Sequence, residues 1–268
     1  MRSSTFRGSK YNSFSGQGTY LAQWLVYRRR GAPKCSLSHP RTGSEALWNF
    51  LVQYQGLGVE WTNGKSYLSP RAPDAEPILY SWEVRIYNPW GAAPGRPLRE
   101  GDLKVAEILS YKSPAAMSGQ AVLQRFYFDK PVESYYYFPG QRRVRRMSNY
   151  AYDAPLIGFE KTYPSDANYI FNGNPDRFEW VLKGKRELFV PYNALNITDK
   201  DAQGNSIFGN KFISANVRRY ELHRVWVIEG NLRPGMRHST PHKVIYLDED
   251  SWSAVAGEDY DADGGIVR

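Results

Sequence analysis

Hydrophobic and polar residues alternate along most of the chain from Leu79 onward, which is the period-two pattern of half-buried β-strands. The alternating segments predict ten strands, at 78–87, 103–111, 121–129, 132–138, 142–147, 178–183, 186–191, 217–229, 242–248 and 251–260. Short connections favour antiparallel hairpins over parallel crossovers at 129–131, 139–141, 183–185 and 248–250. The pattern therefore predicts a mainly β fold.

One segment ahead of these strands has helical periodicity instead. Leucine and aromatic residues recur at spacings of three and four residues between positions 47 and 54, and Thr42 or Ser44 can cap the start. We expect an amphipathic helix over 44–54, ended by Gly56.

Two longer stretches without alternation, 148–177 and 192–216, interrupt the strands and are candidate lids, because loops of this length usually carry function or a small helix. The residues between Pro164 and Gly173 predict one or two helical turns. Such turns would place Tyr169 or Phe171 against the sheet.

Aromatic residues make up 15% of the chain, and in the segment 132–138 their rings fall on both faces of the predicted strand. Neither face can then be wholly exposed without a large apolar patch, so something must cover the second face. The helix and the lids could bury it with their own side chains. Alternatively, they enclose a ring-lined cavity for an acyl chain or a sterol-like body.

The formal charge of +8 favours an anionic partner. Four arginines in the segment 142–146 could bind phosphate or carboxylate groups, or they could line a solvated edge strand and prevent edge pairing; the second interpretation is preferred. Acidic residues interleave the basic strands, so nucleic acid is not the expected partner.

The sequence contains no Gly-x-Ser-x-Gly hydrolase elbow, no His-Glu-x-x-His metalloprotease motif, no Walker loop and no Gly-x-Gly-x-x-Gly dinucleotide-binding motif after a strand. His238 and His242 are close enough to share a metal ion, but the turn residues around them favour two solvent-facing hairpin histidines. Cys35 is the only cysteine. We therefore expect no catalytic residues, no metal site and no cofactor.

Several motifs occur in order along the chain: YFPGQRRVRR at 137–146, FNGNPDRFEW at 171–180, GKRELFVPYN at 184–193, RYELHRVWV at 219–227 and YLDEDSW at 246–252. Over roughly residues 40–268 they resemble the family called domain of unknown function 1329, which is similar to outer-membrane lipoprotein-sorting carriers. That resemblance implies a mainly β (α+β) fold: a curved antiparallel half-barrel with short helices covering its concave face.

The resemblance also implies a secreted protein of the Gram-negative envelope. We expect 1–39 to be a poorly ordered or loosely attached segment, and 40–268 to be a half-barrel domain truncated at both ends relative to the family. The export signal is expected upstream of this chain. An envelope transporter or an outer-membrane protein is the implied protein partner, and peripheral contact with a membrane is left open.

The sequence thus predicts a non-catalytic carrier of a lipid or other hydrophobic molecule, in the periplasm or at the outer membrane. The alternative is a structural or protein-interaction module of the envelope with a self-filled core. The candidate cavity residues are Trp48, Phe50, Leu51, Tyr136, Phe138, Phe171, Trp180 and Trp226. Arg143 and Arg145 are the candidate headgroup contacts.

Overall fold

The structure is a computed structural model. It describes residues 39–53, 56–68, 76–89, 101–147, 152–155, 157, 164–198, 207 and 213–268. Residues 1–38, which hold nearly all of the predicted loose segment, lie outside that range.

Within the described residues the chain forms one α-helix and ten strands. The helix α1 is Gly43–Leu51, and the strands are β1 Gly58–Leu68, β2 Ile78–Tyr87, β3 Leu103–Ser113, β4 Ala121–Tyr127, β5 Glu133–Phe138, β6 Arg143–Arg146, β7 Phe178–Pro191, β8 Tyr220–Leu232, β9 His242–Asp248 and β10 Ala254–Tyr260. Short 3₁₀ helices occur at Pro139–Gln141, Ser165–Ala167, Pro175–Arg177, Leu195–Thr198 and Ala215–Val217.

The ten strands form two antiparallel sheets, a larger sheet in the order β1-β2-β3-β4-β5-β6 and a smaller sheet in the order β10-β9-β8-β7. Every neighbouring pair is antiparallel, and neither sheet closes on itself within the described residues. The mainly β, open half-barrel class predicted from the sequence is confirmed.

Two of the strand predictions were wrong. The segments predicted as 178–183 and 186–191 form one strand, β7, because Gly184 absorbs a register shift against β8 instead of turning the chain. Gly184 has a φ of 101°, a backbone conformation that glycine adopts at little energetic cost. In the sequence, a glycine between two alternating segments predicted a turn. The strand β1 was missed because most of its residues are exposed, so no apolar alternation marks it.

Helix α1 is capped by Thr42, one of the two caps predicted from the sequence, and the cap is part of a capping box with Glu45. The Thr42 hydroxyl accepts a hydrogen bond from the Glu45 amide at 3.2 Å, and the Glu45 carboxylate accepts one from the Thr42 amide at 3.3 Å. These bonds satisfy backbone donors that a helix start otherwise leaves free. The helix ends at Leu51, earlier than the predicted end at 54.

The helix packs on the smaller sheet and also contacts the larger one. The main core cluster, formed by the helix, the smaller sheet and neighbouring loop residues, consists of Ala46, Leu47, Phe50, Phe171, Phe178, Trp180, Trp226, Ile228, Ile245, Leu247 and Trp252. On the other side, the Trp48 ring stacks on Phe128 at the end of β4, with centroids 6.5 Å apart. The helix therefore joins the two sheets.

The prediction of a solvent-facing His238 was wrong. Its side chain is fully buried, and Nε2 lies 2.8 Å from Oδ2 of Asp166 in the loop before β7. Close by, the buried Lys243 ammonium donates to Asp259 at 3.0 Å and to Thr240 at 2.9 Å. The partner of His238 is 72 residues away in sequence, so local turn residues gave no indication of this burial.

Gly43→Ala is expected to lower the free energy of unfolding by roughly 1–3 kcal/mol, the usual cost of overpacking. A Cβ at this position would lie 2.6 Å from the backbone carbon of Trp180, so the helix start would have to move off β7. Chemical denaturation measures the change. Ser44→Ala in the same helical turn is the control, expected within about 0.5 kcal/mol of wild type; equal stabilities of the two variants would contradict the close docking.

Candidate functional site

A partly enclosed cavity of about 340 Å³ lies between the end of α1, the larger sheet, the loop 169–172 and the start of β10. This volume falls within the range of small-molecule sites in proteins, towards the lower end. Most of the wall is apolar and is formed by Phe50, Leu51, Val52, Ile86, Val105, Phe128, Ile170, Phe171 and Ala254.

The sheet side of the cavity is shaped by a β-bulge near the start of β3. Leu103 is paired with Tyr127 and Val105 with Phe126, so Lys104 is the extra residue on β3. An extra residue locally breaks the alternation of side chains between the two faces of a sheet. Lys104 therefore lines the cavity together with Val105 and Glu107, although regular alternation would place it on the opposite face.

Lys104 and Glu107 are ionisable groups in the cavity wall that lack polar partners among the described residues. Their side chains are only 8% and 7% exposed, and neither makes a hydrogen bond or ion pair in the described part of the chain. The Lys104 ammonium lies 5.8 Å from the centre of the Phe126 ring. Burial lowers the pKa of Lys104 to about 8 and raises the pKa of Glu107 to about 7. Both groups therefore change charge close to neutral pH.

The loop side of the cavity is held in a strained backbone conformation. Tyr169 and Ile170 have φ values of 53° and 73°, which side-chain-bearing residues rarely adopt. Ile170 fits closely over Gly257 on β10, where a Cβ would lie 2.5 Å from its methyl carbon. This conformation directs Ile170 and Phe171 into the wall, whereas Tyr169 stays half exposed at the cavity. Burial and the negative charge of Glu107 raise the pKa of Tyr169.

Three of the predicted cavity residues, Phe50, Leu51 and Phe171, line this cavity. Trp180 and Trp226 instead belong to the packed core on the smaller sheet. Trp180 fits over Gly230, and its indole donates to the carbonyl of Pro175 at 3.1 Å.

The remaining predicted residues lie elsewhere. Trp48 is buried against Phe128. Tyr136 and Phe138 form a ring pair on β5, with centroids 6.3 Å apart. Arg143 and Arg145 lie on β6, the last strand of the larger sheet among the described residues, and all residues of this strand are exposed.

The pH dependence of stability should report the buried Glu107. The unfolded chain loses the proton near its ordinary pKa of 4.5, whereas the folded protein keeps it up to about pH 7. Stability from this group is thus complete below pH 4.5 and is lost as the pH rises to 7, by on the order of 3 kcal/mol. Glu107→Gln should remove that loss, as urea denaturation across this pH range would show.

Lys104→Met tests a pH dependence of stability that is opposite in sign to that of Glu107. The folded protein releases the Lys104 proton near pH 8 and the unfolded chain near 10.5, so wild type should gain stability across this interval. The variant should lack that gain. If both variants keep the wild-type pH profile, the two groups are hydrated rather than buried.

Comparison with known proteins supports a family assignment. Residues 26–268 match the model of a family described as protein of unknown function, DUF1329. The uncharacterized protein PA3922 of Pseudomonas aeruginosa is 31% identical over 245 residues, a match that covers 85% of this chain and 50% of the relative. The chain therefore spans about half the length of the curated relative that it matches.

Solved structures are similar to this chain at low sequence identity. A Vibrio parahaemolyticus domain, described as that of an outer membrane lipoprotein-sorting protein, has a TM-score of 0.50 at 15% identity, covering 79% of this chain and 68% of that chain. A DUF1329 family protein from Desulfovibrio piger gives 0.49 at 12% identity, covering 79% and 69%. The LolA superfamily protein NE2245 from Nitrosomonas europaea gives 0.44 at 12% identity, covering 85% and 75%.

At 15% identity, the similarity to the Vibrio domain supports a shared fold and nothing about function. Separately, the described residues include no helix with the length and apolarity needed to cross a bilayer. The family model covers most of the chain, which confirms the resemblance inferred from the sequence motifs. The chain belongs to the DUF1329 family.

Proposed function

We propose that this chain is a carrier that binds a lipid or another hydrophobic molecule between helix α1 and the larger sheet, by binding and release rather than by catalysis. The observation that carries the proposal is the cavity of about 340 Å³ with its largely apolar wall. Apolar surface removed from water contributes about 25 cal/mol per Å² to binding, so such a wall can hold cargo without covalent chemistry.

The fold supports a place for this carrier in the Gram-negative envelope. The Vibrio parahaemolyticus domain with the same fold is described as part of an outer membrane lipoprotein-sorting protein. We extend that setting to this chain and propose that it acts in the periplasm or at the outer membrane. An envelope transporter or an outer-membrane protein would deliver or accept the cargo.

The predicted residues take different parts in this proposal. Phe50, Leu51 and Phe171 would contact the cargo directly, because they line the cavity. Trp180 and Trp226 would support that wall from behind, since they pack in the same core cluster as Phe171.

The predicted residues on the outer strands would have a different task. Arg143 and Arg145, with Tyr136 and Phe138 on the neighbouring strand, lie near the open edge of the larger sheet. They are candidates for contact with an anionic membrane surface during transfer, because exposed arginines bind phosphate groups well.

An interaction module with a self-filled core is the second candidate. The observation that favours it is the core on the smaller sheet, where Phe178, Ile228 and Leu247 are almost completely buried among their neighbours. The core on the smaller sheet is therefore filled by the protein's own side chains, as an interaction module would require. The cavity beside the larger sheet is the feature that favours the carrier.

Val105→Trp is the direct test of the carrier, because a large ring at this wall position should fill the cavity. We expect the variant to bind a fluorescent acyl probe about tenfold or more weakly than wild type, a loss of about 1.4 kcal/mol. Val144→Trp, the same change at a 64% exposed position of β6, is the matched control and should bind normally.

Organic extraction of the purified protein followed by mass spectrometry is the companion measurement, with bound lipid as the expected result. Unchanged probe binding by Val105→Trp would place the cargo elsewhere. Absence of extracted lipid together with absence of probe uptake would favour the interaction module.

A further inference from the structure

We infer that the cavity selects single-chain amphiphiles with an anionic headgroup, a carboxylate or a phosphate, and that the Lys104 ammonium binds this headgroup beside the Glu107 carboxyl. The inference rests on the proposed carrier function and deepens it, because it assigns the chemical class of the cargo and the residue that recognises it.

The first support is the cost of keeping Lys104 where it is. An ammonium group has three donors, and burying one without an acceptor is strongly unfavourable. At 8% exposure Lys104 has no hydrogen-bond or ion-pair partner among the described residues, and its nitrogen is not fully enclosed, so only solvent in the cavity can hydrate it. An anionic group in the cavity would supply the charged acceptor that the described residues do not provide.

The second support is the position of the charge beside the apolar wall. Glu107 is paired with Ile86 across β2 and β3, and Val105 lies between Lys104 and Glu107 on the same strand. Ile86, Val105 and Phe128 therefore offer apolar surface in the same cavity that Lys104 lines. A ligand that satisfies both needs a charged end joined to a hydrocarbon body.

The size of the cavity limits the hydrocarbon part. A volume of about 340 Å³ is at the lower end for small-molecule sites, which suits one chain better than a lipid with several. Cargo with more chains would have to leave part of its apolar surface in water, which removes binding energy in proportion to area.

Glu107 makes the preference depend on pH. Below pH 7 its carboxyl is protonated and can donate a hydrogen bond, while Lys104 is charged, so the pair carries a charge of about +1. Above pH 8 the carboxylate is ionised and the amine is neutral, so the pair carries about −1 and repels an anion. Tyr169, the other titratable group among the described lining residues, stays neutral because its pKa is raised.

Four probes with the same twelve-carbon chain test the headgroup assignment: dodecanoate, dodecyl phosphate, dodecanol and dodecyltrimethylammonium. They are titrated calorimetrically below their micelle concentrations into the delipidated full chain. At pH 6.5 we expect at least one of the two anions to bind about tenfold or more tightly than the alcohol and the cation, as a charge-assisted hydrogen bond would give. The ratio of the two anions then distinguishes a carboxylate cargo from a phosphate cargo.

Raising the pH to 8.5 is expected to weaken anion binding about tenfold or more and to leave dodecanol binding unchanged. Lys104→Met keeps an apolar side chain of similar length and should lose the anion preference while binding dodecanol as wild type does. Lys112→Met, at an exposed lysine of the same strand, is the matched control and should behave as wild type.

Glu107→Gln should bind the anions more tightly than wild type at pH 7.5 and equally at pH 6.

The outcomes separate this inference from the proposed function. Equal binding of all four probes, or tighter binding of the cation, would overturn the headgroup assignment and leave the carrier proposal standing. Binding of none of them would overturn both. An anion preference that survives Lys104→Met would overturn the role of Lys104.

Discussion

The packing of helix α1 on the smaller sheet, together with its ring contact to Phe128 just after β4 of the larger sheet, is the interaction on which the rest of the structure depends. An antiparallel sheet with aromatic side chains on both faces cannot leave both faces in water, so a second layer has to cover one of them. Here the cover is only nine residues long. It reaches the smaller sheet through the close approach of Gly43 to Trp180 and the larger sheet through the stacking of Trp48 on Phe128. Elsewhere on the larger sheet, Ala154 and Ile157 pack against Val122, and the cavity lies beside the end of the helix.

The electrostatic character of the cavity comes from a single irregularity in the backbone. Without the bulge, Lys104 would alternate with Val105 and point away from Glu107. The extra residue brings an amine and a carboxyl to one apolar concavity, where burial moves the two pKa values towards each other from opposite directions. Groups that are costly to bury and have no structural partner are candidates for contact with a ligand.

Much of this architecture could be predicted from the sequence, because the antiparallel strands bury one face and so alternate visibly. The residues of the cavity were harder to predict from the sequence. Glu107 did leave a signal, since it shares a predicted strand face with Val105, Leu109 and Tyr111, where a charge is out of place. Lys104 left no such signal in the sequence, because its orientation depends on a β-bulge, and the alternation of polar and apolar residues does not reveal a bulge. The burial of His238 depends on Asp166, a contact across 72 residues that no local pattern encodes.

The loop wall of the cavity packs against the smaller sheet. Ile170 packs closely over Gly257 of β10. Phe171 packs against Phe178 and Trp180 of β7. The Asn172 amide donates to the carbonyl of Asp166 at 2.8 Å, and Asp166 is itself tied to the buried His238. The opposite wall belongs to β2 and β3. In the proposed carrier, a larger cargo would require the two sheets to move apart about helix α1, because the two walls of the cavity belong to different sheets.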